Sequence, residues 1–257
     1  MNLNIVPART GVQWVREGIR TFFRQPLALI GLFFMYMAAM LIISQLPVVG
    51  MLLAGVLVPA STLGLMAATR EAAQGRIPLP SVLASAFRAG QQRLQAMLVL
   101  GVVYTALSLA ASLLVSALLP EAPATPAAAD AVQQHLGGAA LLTLLLHLPL
   151  FLMFWHAPAL VHWHGVTPAK SLFFSFVACL RNARAFLVYG LVWTGLIMAA
   201  GMVIALFASL AGSAQTASMV MMPFAFVMAA MMSTSVYFTF RDCFVAGDAP
   251  AAPPALP

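Results

Sequence analysis

The sequence predicts an all-α integral membrane protein: six transmembrane helices with three amphipathic helices at the cytoplasmic surface. Of 257 residues, 63% are hydrophobic and only 7% are charged, a balance that a soluble surface does not tolerate. All twelve Lys and Arg residues fall in segments that can lie on the same side of a membrane, while the alternate loops carry none. Both termini are therefore expected on the cytoplasmic side of the membrane. The pI near 10.2 reflects membrane-flanking arginines, and no nucleic acid partner is expected.

The spans can be placed by length, because a bilayer core takes about 20 helical residues. Pro26 suits the first turn of the first span, where its missing N–H costs nothing. Each returning span contains a proline, at Pro59, Pro149 and Pro223, which a structural kink or a moving hinge would explain. The expected spans are residues 27–46, 49–69, 94–119, 137–161, 185–211 and 217–240.

One membrane domain, residues 1–244, is expected to carry all six spans. The first apolar run follows a basic stretch without a cleavage site, which favours a retained span over a signal peptide. A Pro/Ala-rich outer loop is expected at 120–126. The Ala/Pro-rich tail at 245–257 is expected to be disordered.

An internal repeat relates the spans to one another. Residues match at an offset of 90 and further along at an offset of 89, and a weaker copy opens the chain at 7–10. Three parallel units are therefore expected, at about residues 5–70, 76–161 and 166–241, related by an axis near the membrane normal. The clearest matches lie 90 residues apart: Pro59, Gly75, Pro78, Ser81 and Ser85 with Pro149, Gly165, Pro168, Ser171 and Ser175.

Each unit is expected to begin with a basic amphipathic helix. The second and third are expected near 81–93 and 171–184. In the first helix, an apolar face is formed by Val12, Val15, Ile19, Phe22 and Phe23. Anionic lipid headgroups are one interpretation of the arginines on these helices, and simple retention at the cytoplasmic leaflet is the other. The candidate headgroup ligands are Arg16, Arg20, Arg24, Arg88, Arg93, Arg181 and Arg184.

Small and hydroxyl residues recur at helical spacing on the third and fifth spans. They permit close helix packing, and a polar pore lining is the alternative. No Asp, Glu, Lys or Arg falls within a predicted hydrocarbon segment, so His147 is the side chain that could titrate there, as a packing residue or a proton relay. The possible pore or packing face comprises Gly101, Thr105, Ser108, Ser112, His147, Gly190 and Thr194.

Three histidines cluster where the fourth span meets the cytoplasm: His156, His162 and His164. Imidazoles at this spacing could ligate zinc or copper, whereas Trp155 and Trp163 beside them are typical of an interfacial aromatic belt. No catalytic residue and no cofactor is predicted, because phosphate loops, nucleophile elbows and dinucleotide fingerprints do not occur. The two cysteines are expected to be free.

Three motifs resemble an uncharacterised family of proteobacterial inner-membrane proteins of about this length. More remotely, the pattern is similar to the membrane domain fused to some bacterial glycerophosphodiester phosphodiesterases. The family resemblance covers nearly the whole chain and implies six spans in the inner membrane, but no site residues. The motifs are Val6-Pro7-Ala8-Arg9-x-Gly11-x-x-Trp14, Phe23-Arg24-Gln25-Pro26-Leu27, and Pro59 with Gly64-Leu65-Met66.

Two functions therefore stay open. The first is a non-enzymatic membrane protein that organises anionic lipid or a membrane partner through its basic interfacial helices. The second is a small permease for an apolar or neutral solute. A protein partner or a homo-oligomer would be compatible with either function.

Overall fold

The computed structural model describes residues 2–118, 129–210 and 214–245. Six helices within these ranges are long and apolar enough to cross a membrane, so the prediction of an all-α, six-span protein is confirmed. The predicted outer loop at 120–126 lies outside the described residues, as does the predicted tail beyond Val245. The six candidate spans are Pro26–Ser44, Gly50–Ala73, Gln91–Leu118, Ala140–His164, Ala183–Phe207 and Met219–Cys243.

Ten α-helices, one 3₁₀ helix and two short strands are found in the described ranges. A 3₁₀ helix, Pro80–Ala84, precedes α4. The strands β1 (Asn2–Leu3) and β2 (Phe244–Val245) pair antiparallel. The helices are α1 (Thr10–Arg24), α2 (Pro26–Ser44), α3 (Gly50–Ala73), α4 (Ser85–Arg88), α5 (Gln91–Leu118), α6 (Ala129–Phe154), α7 (Ala157–His164), α8 (Pro168–Arg181), α9 (Ala183–Leu210) and α10 (Ala214–Cys243).

The fourth span is broken, whereas the sequence predicted one continuous helix over 137–161. Helix α6 ends at Phe154 and α7 begins at Ala157. Pro158 lies in the first turn of α7, where it has no N–H to donate. In a continuous helix its ring would clash with the carbonyl four residues earlier, so the helix breaks before it. The three prolines predicted within the returning spans do lie inside helices α3, α6 and α10.

The predicted amphipathic helix at 81–93 is also wrong as a continuous element. The 3₁₀ helix and the one-turn α4 end at Arg88, and Arg93 belongs to the long helix α5. Gly90 separates them with φ at +92°, a left-handed conformation that ends a helix and that glycine adopts without strain.

Two glycines of the internal repeat share a backbone conformation. Gly75 follows α3 with φ at +78°, and Gly165 caps α7 with φ at +65°. Each ends a helix in the left-handed region, which is the usual role of a glycine after a helix C-terminus. The repeat matches at this position, and the threefold relation as a whole stays a prediction.

The chain forms two compact units, each with its own core. The first unit comprises Met1–Ile30, Thr69–Ile77 and Ala178–Pro257, and in it α1 packs against α9 and α10. The second unit comprises Gly31–Ala68 and Pro78–Val177. Its buried core joins α3, α5, α6 and α7 and includes Leu63, Met97, Leu100, Leu150, Phe154 and Val161.

Candidate lipid-binding sites

Helix α1 of the first unit buries one face against α9 and α10. Gly11 lies against the carbonyl of Ala185, and Gly18 lies against Ser235, so tightly that neither glycine has room for a Cβ. The predicted apolar face is therefore divided, since Val15 and Phe22 are buried whereas Val12 and Phe23 remain 46% and 65% exposed. The buried face is Thr10, Gly11, Trp14, Val15, Gly18, Thr21 and Phe22.

A polar network joins α1 to the end of α10. The indole N–H of Trp14, a fully buried side chain, donates to a carboxylate oxygen of Asp242 at 3.0 Å. Arg241 pairs with Glu17 at 2.8 Å and with Asp242 at 2.7 Å. The exposed ion pairs add little stability on their own, whereas the hydrogen bond from Trp14 to a carboxylate is charge-assisted. The network therefore sets the orientation of α1 on α10.

Asn182, between α8 and α9, holds the segment before α1. Its Oδ1 accepts from the Val6 N–H at 2.8 Å, and its Nδ2 donates to the Asn4 carbonyl at 3.1 Å. The same Nδ2 donates to the Ala178 carbonyl at 3.0 Å, and the residue is only 2% exposed. Sequence reasoning missed this residue. The available signal was an Asn at the boundary between two largely apolar helices.

A groove lies along the exposed side of α1. Its volume is about 630 Å³. It brings together two of the predicted headgroup ligands, and Arg24, although exposed, does not line it. The lining residues are Val12, Val15, Arg16, Ile19 and Arg20 of α1 with Val192 of α9. A pair of cations beside an aliphatic wall suits a molecule with an anionic head and an apolar tail.

The other candidate arginines are all exposed but lie in different surroundings. Arg88 ends α4, and Arg93, on the first turn of α5, lines a separate cavity of the second unit. Arg181 is the last residue of α8, and Arg184 lies in the first turn of α9, both within the first unit. Seven arginines that looked equivalent in sequence therefore divide into two that line the α1 groove, one that lines another cavity, and four that line neither.

The histidine cluster does not form a metal site in the structure. His156 is fully buried at the break between α6 and α7, where its backbone N–H donates to Oγ of Ser175 at 3.0 Å. The Ser175 hydroxyl in turn donates to the Leu152 carbonyl at 2.8 Å, so α8 satisfies backbone groups that the break exposes. Among the described residues, no three His, Cys, Asp or Glu side chains are grouped to hold an ion.

The predicted small-residue face behaves differently on its two helices. On α5, Gly101 lies directly against the Val56 carbonyl of α3, without room for a Cβ. A Cβ built at Gly55 would lie 2.7 Å from Oγ1 of Thr105, which itself donates to the Gly101 carbonyl. Close helix packing thus accounts for this part of the face. On α9, a Cβ added at Gly190 would meet no neighbouring helix within 4 Å.

The remaining members of that face have local roles or open surroundings. Ser108 is half-buried, while Ser112 and Thr194 are exposed. Nδ1 of the half-buried His147 lies 2.9 Å from the Thr143 carbonyl of its own helix. That carbonyl only accepts, so Nδ1 donates. This hydrogen bond is what a packing histidine in a membrane helix would make, and the proton-relay alternative stays untested.

Both cysteines are free and buried. Burial raises the pKa of the Cys179 thiol to about 12, because a thiolate loses its hydration there. Cys243 has no exposed surface. It cannot report on membrane sidedness through labelling, because a reagent on either side would fail to reach it.

The whole chain resembles one bacterial protein of similar length. A "probable inner membrane protein" of Burkholderia thailandensis is 40% identical over 255 residues, which cover 95% of this chain and 94% of that relative. No protein-family model and no solved structure matches. These comparisons support the predicted resemblance to inner-membrane proteins and give no support to the remoter one to phosphodiesterase membrane domains.

Proposed function

The chain belongs to the family of the Burkholderia thailandensis inner-membrane protein, and we propose that it is a non-enzymatic membrane protein that binds anionic phospholipid on α1. The observation that carries this proposal is the groove in which Arg16 and Arg20 lie beside Val12, Ile19 and Val192. The groove offers two cations for a phosphate and an aliphatic wall for an acyl chain.

The order of side chains around α1 matches the polarity of a membrane surface. At 100° per residue, Ile19, Val12 and Phe23 occupy one edge of the exposed side, and Arg16 and Arg20 follow next to them. An interfacial helix needs this order, with an apolar edge toward hydrocarbon and a basic edge toward phosphates. The buried face points to α9 and α10, so the exposed side is the part of α1 that lipid can reach.

The two arginines of the groove are not engaged by the acid nearest to them in sequence. Glu17 is paired with Arg241 of α10, and no ion pair among the described residues involves Arg16 or Arg20. Each cation near an anionic leaflet contributes about 1 kcal/mol, so two would favour an anionic over a neutral lipid by about 30-fold. Because α1 packs closely on α9 and α10 at Gly11 and Gly18, the helix that carries these charges is held in position before lipid arrives.

The test compares two variants that lose the same charge. Arg16→Gln with Arg20→Gln removes the groove cations, and Arg9→Gln with Arg24→Gln removes two exposed cations outside the groove. Detergent-purified proteins are compared by native mass spectrometry for retained phosphatidylglycerol and cardiolipin. The groove variant should lose about 30-fold in affinity for these lipids, and the control should change far less.

Membrane insertion of both variants is checked first, by their recovery in the membrane fraction and by thermal unfolding. Equal retention of anionic lipid by the two variants would refute the proposal. The arginines of α1 would then act as topological signals only.

A further inference from the structure

The second unit contains a cavity of about 620 Å³ between the start of α5 and the junction of α7 with α8. This volume lies within the range typical of ligand sites, about 300–1,000 Å³. None of the described residues that line it is acidic. The wall from α5 is Gln92, Arg93, Gln95, Ala96 and Val99, and the opposite wall is Val161 with residues 165–169.

Polarity changes along the α5 wall in one direction. Gln92, Gln95, Ala96 and Val99 follow i, i+3, i+4, i+7 spacing and therefore share one face of the helix. The amides lie at the start of α5, with Arg93 beside them, and the aliphatic side chains lie one to two turns further along. A ligand that fits this wall is polar and anionic at one end and apolar at the other.

We propose that this cavity binds a phospholipid whose headgroup is an anionic phosphodiester carrying free hydroxyls, as in phosphatidylglycerol. Arg93 pairs with the phosphate, for which a guanidinium offers two parallel N–H donors. The Gln92 and Gln95 amides bond the hydroxyls, since an amide and a hydroxyl can each both donate and accept. Ala96 and Val99 lie against an acyl chain. The inference rests on the proposed function for its ligand class and assigns it a second site with headgroup selectivity.

The experiment uses the full chain in nanodiscs and in native mass spectrometry, in a background in which Arg16 and Arg20 are already glutamine. Phosphatidylglycerol, phosphatidic acid and phosphatidylethanolamine are the lipid probes, and glycerol 3-phosphate is the soluble probe. Arg93→Gln should weaken phosphatidylglycerol and phosphatidic acid binding by about fivefold. Gln92→Leu with Gln95→Leu should weaken the binding of phosphatidylglycerol by at least fivefold and leave that of phosphatidic acid unchanged.

Arg88→Gln is the matched control, because Arg88 is an exposed cation of the same unit that does not line the cavity. It should leave all three lipid affinities unchanged. The assignment is refuted if Arg93→Gln behaves like this control. It is also refuted if Gln92→Leu with Gln95→Leu weakens the binding of phosphatidylglycerol and phosphatidic acid equally. Saturable binding of glycerol 3-phosphate as tight as that of the lipid would also refute it, since the aliphatic wall would then contribute nothing.

Failure of this inference can be told apart from failure of the proposed function. If the double-glutamine background keeps full phosphatidylglycerol binding and Arg93→Gln weakens it by about fivefold, the cavity site stands while the α1 groove fails. If the background loses phosphatidylglycerol entirely, relative to the parent chain, the α1 groove stands and the cavity site fails.

Discussion

Replacement of Asn182 by alanine should release the segment before α1 while α1 itself stays docked. Two hydrogen bonds from the Asn182 side chain reach this segment, one from the Val6 N–H at 2.8 Å and one to the Asn4 carbonyl at 3.1 Å. Each contributes about 1 kcal/mol net, so their loss should cost about 2 kcal/mol of local stability. The third bond, to Ala178, costs little to lose, because that carbonyl also accepts from the Asn182 backbone N–H at 3.1 Å.

Hydrogen exchange with mass spectrometry measures this change directly. A loss of about 2 kcal/mol corresponds to about 30-fold faster exchange in a segment that opens locally. The amides of Asn4 and Val6 are the reporters, because Asn4 donates to the Cys243 carbonyl at 2.9 Å and Val6 donates to Asn182 itself. Exchange within α1 should be unchanged, since Trp14 keeps its bond to Asp242.

Asn4→Ala provides the matched control for this experiment. It also removes one amide, but the bond it loses, from Asn4 to the Asp242 carbonyl at 2.9 Å, is exposed to solvent. Exchange should then rise by less than about threefold. If Asn182→Ala accelerates exchange by no more than the Asn4→Ala control does, the Asn182 side chain does not hold the segment. If instead exchange rises throughout α1, the segment and the helix open as one unit and the local-opening argument is wrong.

Packing at Gly101, burial of the Cys179 thiol and the orientation of the chain can each be tested by substitution. Gly101→Ala should lower thermal stability by about 1–3 kcal/mol because a Cβ there overlaps α3, whereas Gly190→Ala should be neutral or slightly stabilising; equal effects would contradict the packing account. The Cys179 thiol should resist iodoacetamide in the folded protein at pH 8. Folding stability should also fall as pH rises from 9.0, the ordinary pKa of a cysteine thiol, toward about 12, the pKa of the buried Cys179 thiol. In this range the thiol ionises freely only in the unfolded chain, so the decline should be shallower in Cys179→Ala. In a chain with both native cysteines replaced by alanine, Ala128→Cys should react with an impermeant reagent on intact spheroplasts and Gln74→Cys should not; the reverse would overturn the predicted orientation.

The sequence alone was sufficient to predict the six spans, because hydrocarbon imposes the same demand on every crossing segment. Each must be apolar over about 20 residues and must satisfy its own backbone as a helix. The predicted start of the first span at Leu27 and its observed start at Pro26 differ by one residue. The break after Phe154 was not predicted, since proline alone does not locate it: Pro149 lies inside α6 without ending it, whereas Pro158 lies in the first turn of α7.

The sequence predicted that arginines would form the candidate sites, but not which arginines would line the groove and the cavity. The regular spacing of Arg16 and Arg20 is visible in sequence, and it marks a basic edge on α1. The same reasoning could not separate Arg93, which lines a cavity, from Arg88, which does not. Arg88 ends α4 and Arg93 lies in the first turn of α5, and only the positions of α7 and α8 place one of the two beside a cavity.

The sequence alone determined that this is a membrane protein with six spans. The bilayer and the water on either side select apolar spans and the placement of charged loops, whichever helices pack together. The tertiary structure decided which side of α1 is buried. Val12 and Phe23 were as apolar as Val15 and Phe22, yet the latter pair is buried and the former is not. The difference arises because Gly11 and Gly18 let one face of α1 approach α9 and α10 closely, and such a fit depends on the shapes of two surfaces that lie far apart in the chain.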